Sequence, residues 1–375
     1  MSLKTALVII PTYNEAENIK PLLLSIIATL HEVTGYSVDI LVVDDYSPDG
    51  TGTIVQKLAQ KHRNIQLLSG KKAGLGDAYI RGLRYGLDQP KYDAFVMMDA
   101  DFSHSPSYIP RLLRTLDQGY DYVIGSRYIP GGAIPDDWSI LRILNSKVAN
   151  LLARTFAGIG RTVYDATSGY KAIRTSSLQT IDLDNLRVSG YFFQVALTYA
   201  FNSKSKLQIT EIPIAFENRK NGASKIGVKD VVEFVYCAYT LNPQSSARTF
   251  VRFCVVGISG VVVNLGTLTV LVRYFHISPL LGGAIAIETS IASNFLLNHV
   301  YTFRNDTGSS RQRLIHRFSK FNATSLTGAA ISFAVFSVLY KFIGLQYIIA
   351  DALAIIPSVC FNYWASSTFV WKDRH

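Results

Sequence analysis

The chain has 375 residues, a formal net charge of +10, 49% hydrophobic residues, only 17% charged residues and a mean hydropathy of +0.20. That balance excludes a disordered chain, and the length is enough for two domains. Residues 245–375 hold eleven Lys/Arg against four acids, Glu288, Asp306, Asp351 and Asp373, leaving twenty-six against twenty-three in residues 1–244, so the front is an ordinary soluble composition and the rear suits lipid.

Cys237, Cys254 and Cys360 are scattered and odd in number, which argues against a disulfide framework and against a thiolate metal site. The run Ala6–Ile10 is too short for a secretory leader and ends at Pro11, so the front part is expected to stay on its side of a membrane.

In chain order, Ala6–Ile10 reads as a strand buried on both faces. Asn14 is expected to cap a helix, with Glu17 three residues on and Ile19, Leu22, Leu23, Ile26 and Ile27 at helical spacing. Val38–Val43 is a second strand, ended by Asp44-Asp45-Tyr46-Ser47-Pro48-Asp49-Gly50, and a helix over Thr53–His62 follows. Ala94–Met98 is a third, ended by Asp99-Ala100-Asp101. Strands alternating with helices imply parallel βαβ units, whose ligands bind beyond the carboxyl ends of the strands.

The motifs stand at those ends. Asp99 and Asp101 are two apart, so in extended chain their carboxylates point the same way and can share one hard cation with a diphosphate; a solvated strand end or helix cap is the competing reading, since Ser103, Ser105 and Pro106 suit a helix start. Asp44 and Asp45 can accept hydrogen bonds from a ribose or a base edge, or simply build a turn with Ser47-Pro48-Asp49-Gly50. Pro11-Thr12-Tyr13-Asn14-Glu15 offers an aromatic face beside a carboxylate. Lys71-Lys72-Ala73-Gly74-Leu75-Gly76 supplies cations and backbone N–H groups for a phosphate without forming a Walker A motif.

Further on, Arg127 follows the short apolar run Tyr122–Ile124 and is expected to emerge where a diphosphate needs a cation. A helix over Ser139–Phe156 places Arg142 and Ser146 on one face, able to hold one phosphate, and its many apolar residues suit a membrane interface. Glu211–Phe216 reads as another strand. A basic loop with Arg219 and Lys225 follows, and Val228–Thr240 is a second amphipathic segment.

Four apolar stretches, 251–273, 279–300, 322–343 and 346–370, approach the roughly 20 residues of a membrane-spanning helix. Both ends then share one side, which carries Arg248, Arg252, Arg304, Arg311, Arg313, Arg317, Lys320, Lys372 and Arg374 against Arg273 and Lys341 opposite. This asymmetry places the front domain in the cytoplasm and assigns the basic charge to topology and anionic headgroups, with no nucleic-acid partner. Glu288, Asn294, Asn298 and Asn264 are read first as glue between helices and second as functional groups.

Pro11-x-Tyr13-Asn14-Glu15, the 42–51 run Val-Val-Asp-Asp-x-Ser-Pro-Asp-Gly-Thr, Gly74-Leu75-Gly76 with Tyr79, Met98–Asp101 with Ser103-His104, Gly125-Ser126-Arg127-Tyr128 and Asp165–Tyr170 stand together in one order. In this set the chain resembles dolichyl- or polyprenyl-phosphate mannose synthases, inverting GT-A glycosyltransferases of family 2, over roughly residues 4–228; the rear resembles a GtrA-type four-helix domain.

The resemblance implies an α/β GT-A (Rossmann-like, mostly parallel sheet) domain at 1–228, an interface helix at about 139–156 and another at 229–244, and an all-α four-helix transmembrane domain at 245–375. It implies GDP-mannose as donor, a dolichyl or polyprenyl phosphate as acceptor, and Mg2+ or Mn2+ as cofactor. Donor contacts would come from Pro11, Tyr13, Glu15, Val43, Asp45, Asp99, Ala100, Asp101, Arg127, Arg219 and Lys225. Metal contacts would come from Asp99 and Asp101, with Ser103 where some relatives have Gln, and acceptor-phosphate contacts from Arg142 and Ser146. Asp101, Arg127, Arg142 and Ser146 are the expected catalytic set. Rival readings are UDP-glucose as donor, a processive polysaccharide synthase, disfavoured because no Gln-x-x-Arg-Trp segment is present, and a lipid flippase or scaffold.

Overall fold

The computed structural model describes residues 3–156, 158–159, 163–186, 192–218, 237, 239–242, 246–303 and 311–371. It divides into two compact units, Met1–Ser245 and Ser246–His375. The expected interface segment Val228–Thr240 lies almost wholly outside the described residues, as do Arg219 and Lys225.

The first unit is a seven-stranded sheet with helices on both faces. Its strands are β1 (Lys4–Thr12), β2 (Tyr36–Asp44), β3 (Ile65–Ser69), β4 (Ala94–Met97), β5 (Tyr122–Ser126), β6 (Lys171–Arg174) and β7 (Ile209–Pro213), in the spatial order β3-β2-β1-β4-β6-β5-β7. β1 pairs in parallel with β2 and with β4, and β2 with β3. The exception is β6, antiparallel to both β4 and β5, while β5 and β7 are again parallel.

The apolar runs read from the sequence are the central strands, because every residue from Ala6 to Ile10 has no exposed surface and both faces must be covered. Each such fully buried Val, Leu or Ile contributes about 1.5–3 kcal/mol. On one face Leu7, Ile9, Val43 and Phe95 pack with α3 (Leu75–Leu87) and α6 (Phe192–Asn202); on the other, Val8, Ile10, Val42 and Val96 pack with α1 (Ala16–Thr29) and α4 (Ile109–Asp117). Chain order reverses between β1 and β4, which places the ligand crevice beyond Thr12 and Met97.

Two local expectations are revised. Asn14 does not cap α1: it sits at φ +62, and the first turn is satisfied from another loop, with Ala16 N–H donating to Asp49 Oδ2 at 2.9 Å and Glu15 N–H to the Thr51 hydroxyl at 3.0 Å. The second helix, α2, spans Thr51–Ala59, starting two residues earlier than expected because Asp49 also accepts the Thr51 N–H at 3.0 Å.

The second unit contains four long helices, Ser246–Arg273, Pro279–Leu297, Arg311–Lys341 and Tyr347–Ala365. Each contributes to a stretch long and apolar enough to cross a membrane: Arg248–Arg273, Pro279–Thr302, Leu314–Lys341 and Leu353–Val370. The unit is built twice over. The Ser290 hydroxyl donates to the Gly260 carbonyl at 2.8 Å, and at one constant offset the Ser358 hydroxyl donates to the Gly328 carbonyl at 2.7 Å. Asn294 packs on Gly260 as Asn362 packs on Gly328. Phe303 and its counterpart Trp371 stack face to face at 4.4 Å. The glue reading of Asn294 agrees with this packing, and Glu288 accepts a hydrogen bond from Asn322 at 3.0 Å, joining the two hairpins.

Candidate active site

The crevice is assembled from the ends of β1, β2 and β4. In register Pro11 faces Val43 and Thr12 faces Asp44. Pro11 and Val43 are buried wall residues, and Tyr13 projects beyond them with Lys72 Nζ 3.3 Å from its ring centroid. The lysine therefore caps one aromatic face. Glu15 accepts a hydrogen bond from Asn18 at 2.7 Å.

The two neighbouring aspartates have separate tasks. Asp44 is a turn builder: it accepts the Thr12 hydroxyl at 3.0 Å, the Ser47 N–H at 3.0 Å and the Ser47 hydroxyl at 2.6 Å. Asp45 is paired with Arg81, whose Nη2 reaches Oδ1 at 2.5 Å, and burial raises its carboxyl pKa more than that cation lowers it.

After β4 the chain turns sharply. Phe102 adopts φ +65, and Asp101 closes the turn by accepting both the N–H and the hydroxyl of Ser103. Asp99 Oδ1 accepts the Tyr79 hydroxyl at 2.9 Å, and Asp99 N–H donates to His104 Nδ1 at 3.1 Å. His104 is stacked on Tyr170 at 4.9 Å and edged by Phe216 at 5.5 Å, and burial holds its pKa below the ordinary value. A Cβ on Gly169 would come within 3.1–3.2 Å of both Asp99 oxygens, so glycine leaves that carboxylate room to turn. Ala100 is buried in the core between the two acids.

Asp99 and Asp101 offer hard oxygen donors, each already oriented by a hydroxyl, which suits Mg2+ or Mn2+. No group of three or more His, Cys, Asp and Glu placed to hold a metal exists among the described residues, and the Ser103 hydroxyl beside the pair already donates to Asp101.

Arg127 stands at the end of β5, as the sequence indicated, but as half of an ion pair: Nε and Nη2 meet the two Asp165 oxygens at 2.7 Å each, and Nη2 also meets the Thr167 hydroxyl at 2.9 Å. Despite burial, which opposes both charges, the pairing holds Asp165 below the usual carboxylate range and Arg127 above the usual guanidinium range.

Arg142 and Ser146 lie on one face of α5 (Ile140–Phe156). Arg142 stacks on Trp138 with Cζ 4.0 Å from the ring centroid, and the Ser146 hydroxyl accepts from Tyr128 at 2.6 Å. Sequence reasoning missed Asn150, one turn further along that face, which donates to Thr167 at 3.0 Å and accepts the Thr167 N–H at 3.2 Å. The spacing of Arg142, Ser146 and Asn150 as a polar stripe on an apolar helix was the available signal. The opposite stripe, Ile140, Leu144, Val148 and Leu151, is exposed.

The comparisons agree with this geometry. Residues 7–182 match the glycosyl transferase family 2 model, and residues 252–371 match the transmembrane domain of GtrA/DPMS. A dolichol-phosphate mannosyltransferase of Pyrococcus furiosus is 33% identical over 365 residues, covering 97% of this chain and 98% of that relative. A polyprenol monophosphomannose synthase of Mycolicibacterium smegmatis is 43% identical over 233 residues, covering 61% and 84%, and an undecaprenyl-phosphate mannosyltransferase of Micrococcus luteus is 43% identical over 221, covering 59% and 86%. The chain therefore belongs to the glycosyl transferase family 2 group that contains these mannosyltransferases, an integral membrane protein in which a GT-A-like catalytic domain precedes a GtrA/DPMS transmembrane domain.

Proposed function

We propose that the protein transfers mannose from GDP-mannose to a dolichyl or other polyprenyl phosphate at the cytoplasmic face of a membrane, with inversion at C1. The carrying observation is one helix, α5, with Arg142 and Ser146 on one side and the exposed apolar stripe Ile140, Leu144, Val148 and Leu151 on the other. Such a helix seats in the membrane interface and presents a phosphate-binding pair to a lipid acceptor. The cytoplasmic assignment rests on the nine-against-two charge asymmetry of the membrane half.

In this reading the donor lies across the ends of β1, β2 and β4, its base against Tyr13 and Asp45 and its diphosphate near Asp99 and Asp101. Pro11, Glu15, Val43 and Ala100 line the cleft, and Arg219 and Lys225 complete the phosphate contacts. A divalent cation, when bound there, neutralises charge on the departing GDP. A phosphate monoester is already mostly a dianion at pH 7, so no protein base is required. An acceptor phosphate oxygen attacks C1, the C1–oxygen bond to GDP breaks, and its electron pair leaves with GDP. Arg142 and Ser146 aim the attacking oxygen, while Arg127 offers only the part of its guanidinium that Asp165 leaves.

The test incubates the detergent-solubilised full chain with Mn2+, a short polyprenyl phosphate and either GDP-mannose or UDP-glucose, following sugar into the organic phase. Transfer from GDP-mannose that stops with EDTA and in Asp101→Ala, giving a β-linked product, is expected. Transfer only from UDP-glucose would overturn the donor, an α-linked product the inversion, and no transfer from either donor would overturn the mannose reading in favour of another sugar or of a role in the membrane half.

A further inference from the structure

Trp138 stands at the entrance to α5 and is 8% exposed. Its indole N–H donates to Asn218 Oδ1 at 3.1 Å, and Asn218 Nδ2 in turn donates to the two Asp137 oxygens at 2.5 and 2.7 Å. These bonds fix the plane of the ring. The Arg142 guanidinium lies over that ring at 4.0 Å.

The same ring is linked through Phe216 to the turn that carries Asp99 and Asp101. Trp138 meets Phe216 edge-on at 5.7 Å, and Phe216 meets His104 edge-on at 5.5 Å. The backbone follows the same route: Phe216 N–H donates to the Ala133 carbonyl at 2.9 Å, and Glu217 N–H donates to the Ser103 carbonyl at 3.1 Å. One short segment after β7 is thus fastened to the turn holding Asp99 and Asp101 on one side, and to the loop leading to Trp138 on the other.

We propose that Trp138 is a positioning residue for the acceptor phosphate, holding Arg142 by its π face in register with the aspartate turn. The proposal rests on the reading of Arg142 and Ser146 as acceptor-phosphate ligands. An arginine has a long flexible stem, and a fixed aromatic face restricts where its guanidinium can lie. Phe216 transmits the position of the donor turn because the rings on both sides of it are buried and packed.

The test measures KM for acceptor and donor separately in the full-length protein with GDP-mannose and a short polyprenyl phosphate. Trp138→Leu is expected to raise the acceptor KM about tenfold and leave the donor KM within about twofold; Trp138→Phe, which keeps an aromatic face, recovers most of the loss. In an Arg142→Ala background the further effect of Trp138→Leu should vanish. An unchanged acceptor KM in Trp138→Leu, or equal rises in both KM values with a fall in Tm, overturns the positioning role while the functional reading stands. Failure of the unmodified protein to use a lipid phosphate removes the reading and this proposal together.

Discussion

The Asp165 carboxylate grips the Arg127 guanidinium along one edge, through two hydrogen bonds of 2.7 Å each, and also accepts the Arg127 backbone N–H at 3.0 Å. Both side chains are almost wholly buried, so each is the other's compensation. Asp165→Ala is expected to cost about 3–5 kcal/mol, because it leaves a buried cation without its anion. Thermal unfolding of the purified variant checks this.

The same pair has a pH signature. Its partner's charge depresses the folded pKa of Asp165 below the unfolded value of about 3.9, so this stabilisation is complete above that value and is lost as pH falls through the folded pKa. Stability measured by denaturant between about pH 5 and pH 2 should fall more steeply with acid in the unmodified protein than in Asp165→Asn. Equal slopes would show that the pair does not carry the acid sensitivity.

Tyr79 holds Asp99 from below with a 2.9 Å hydrogen bond and is itself stacked on Phe193 at 5.8 Å. Tyr79→Phe keeps the ring and removes the hydroxyl. If Asp99 holds the cation as proposed, the divalent-ion concentration for half-maximal activity should rise about tenfold while Tm changes little, since losing an orienting bond to a metal ligand acts mainly on metal affinity. Titration of Mn2+ under saturating donor measures it.

Ser146→Ala removes the hydroxyl proposed to face the acceptor phosphate, which is also the partner of the Tyr128 hydroxyl. The acceptor KM is expected to rise about three- to tenfold with the donor KM unchanged. Steady-state kinetics with each substrate varied in turn would expose a donor-side role instead.

Replacing Leu144 and Leu151 together by Ser strips apolar area from the exposed stripe of α5. Turnover of a long-chain acceptor in vesicles should drop several-fold, whereas a short, water-soluble acceptor should be used as before. An equal drop on both would argue that the stripe packs against protein rather than lipid.

Residue patterning over short stretches was enough for the parts whose information is local. The run Ala6–Ile10, the β-branched run before Asp44 and the apolar run before Asp99 had to be buried strands, and four apolar stretches stood out as long enough to span a membrane, because hydrophobic periodicity acts over a handful of neighbours. The position of Asp99 and Asp101 at a strand end was equally legible. Only the tertiary structure separated Asp44, a turn builder bound to Ser47, from Asp45, bound to Arg81 thirty-six residues away. It alone showed Asn14, an expected cap, at a positive φ instead, with Asp49 from another loop meeting the first turn of the helix. It alone inserted β6 antiparallel between β4 and β5, bringing Asp165 to Arg127 and Gly169 to Asp99. Such pairings are set by how packed layers place distant segments, and a buried charge takes whichever partner that packing delivers.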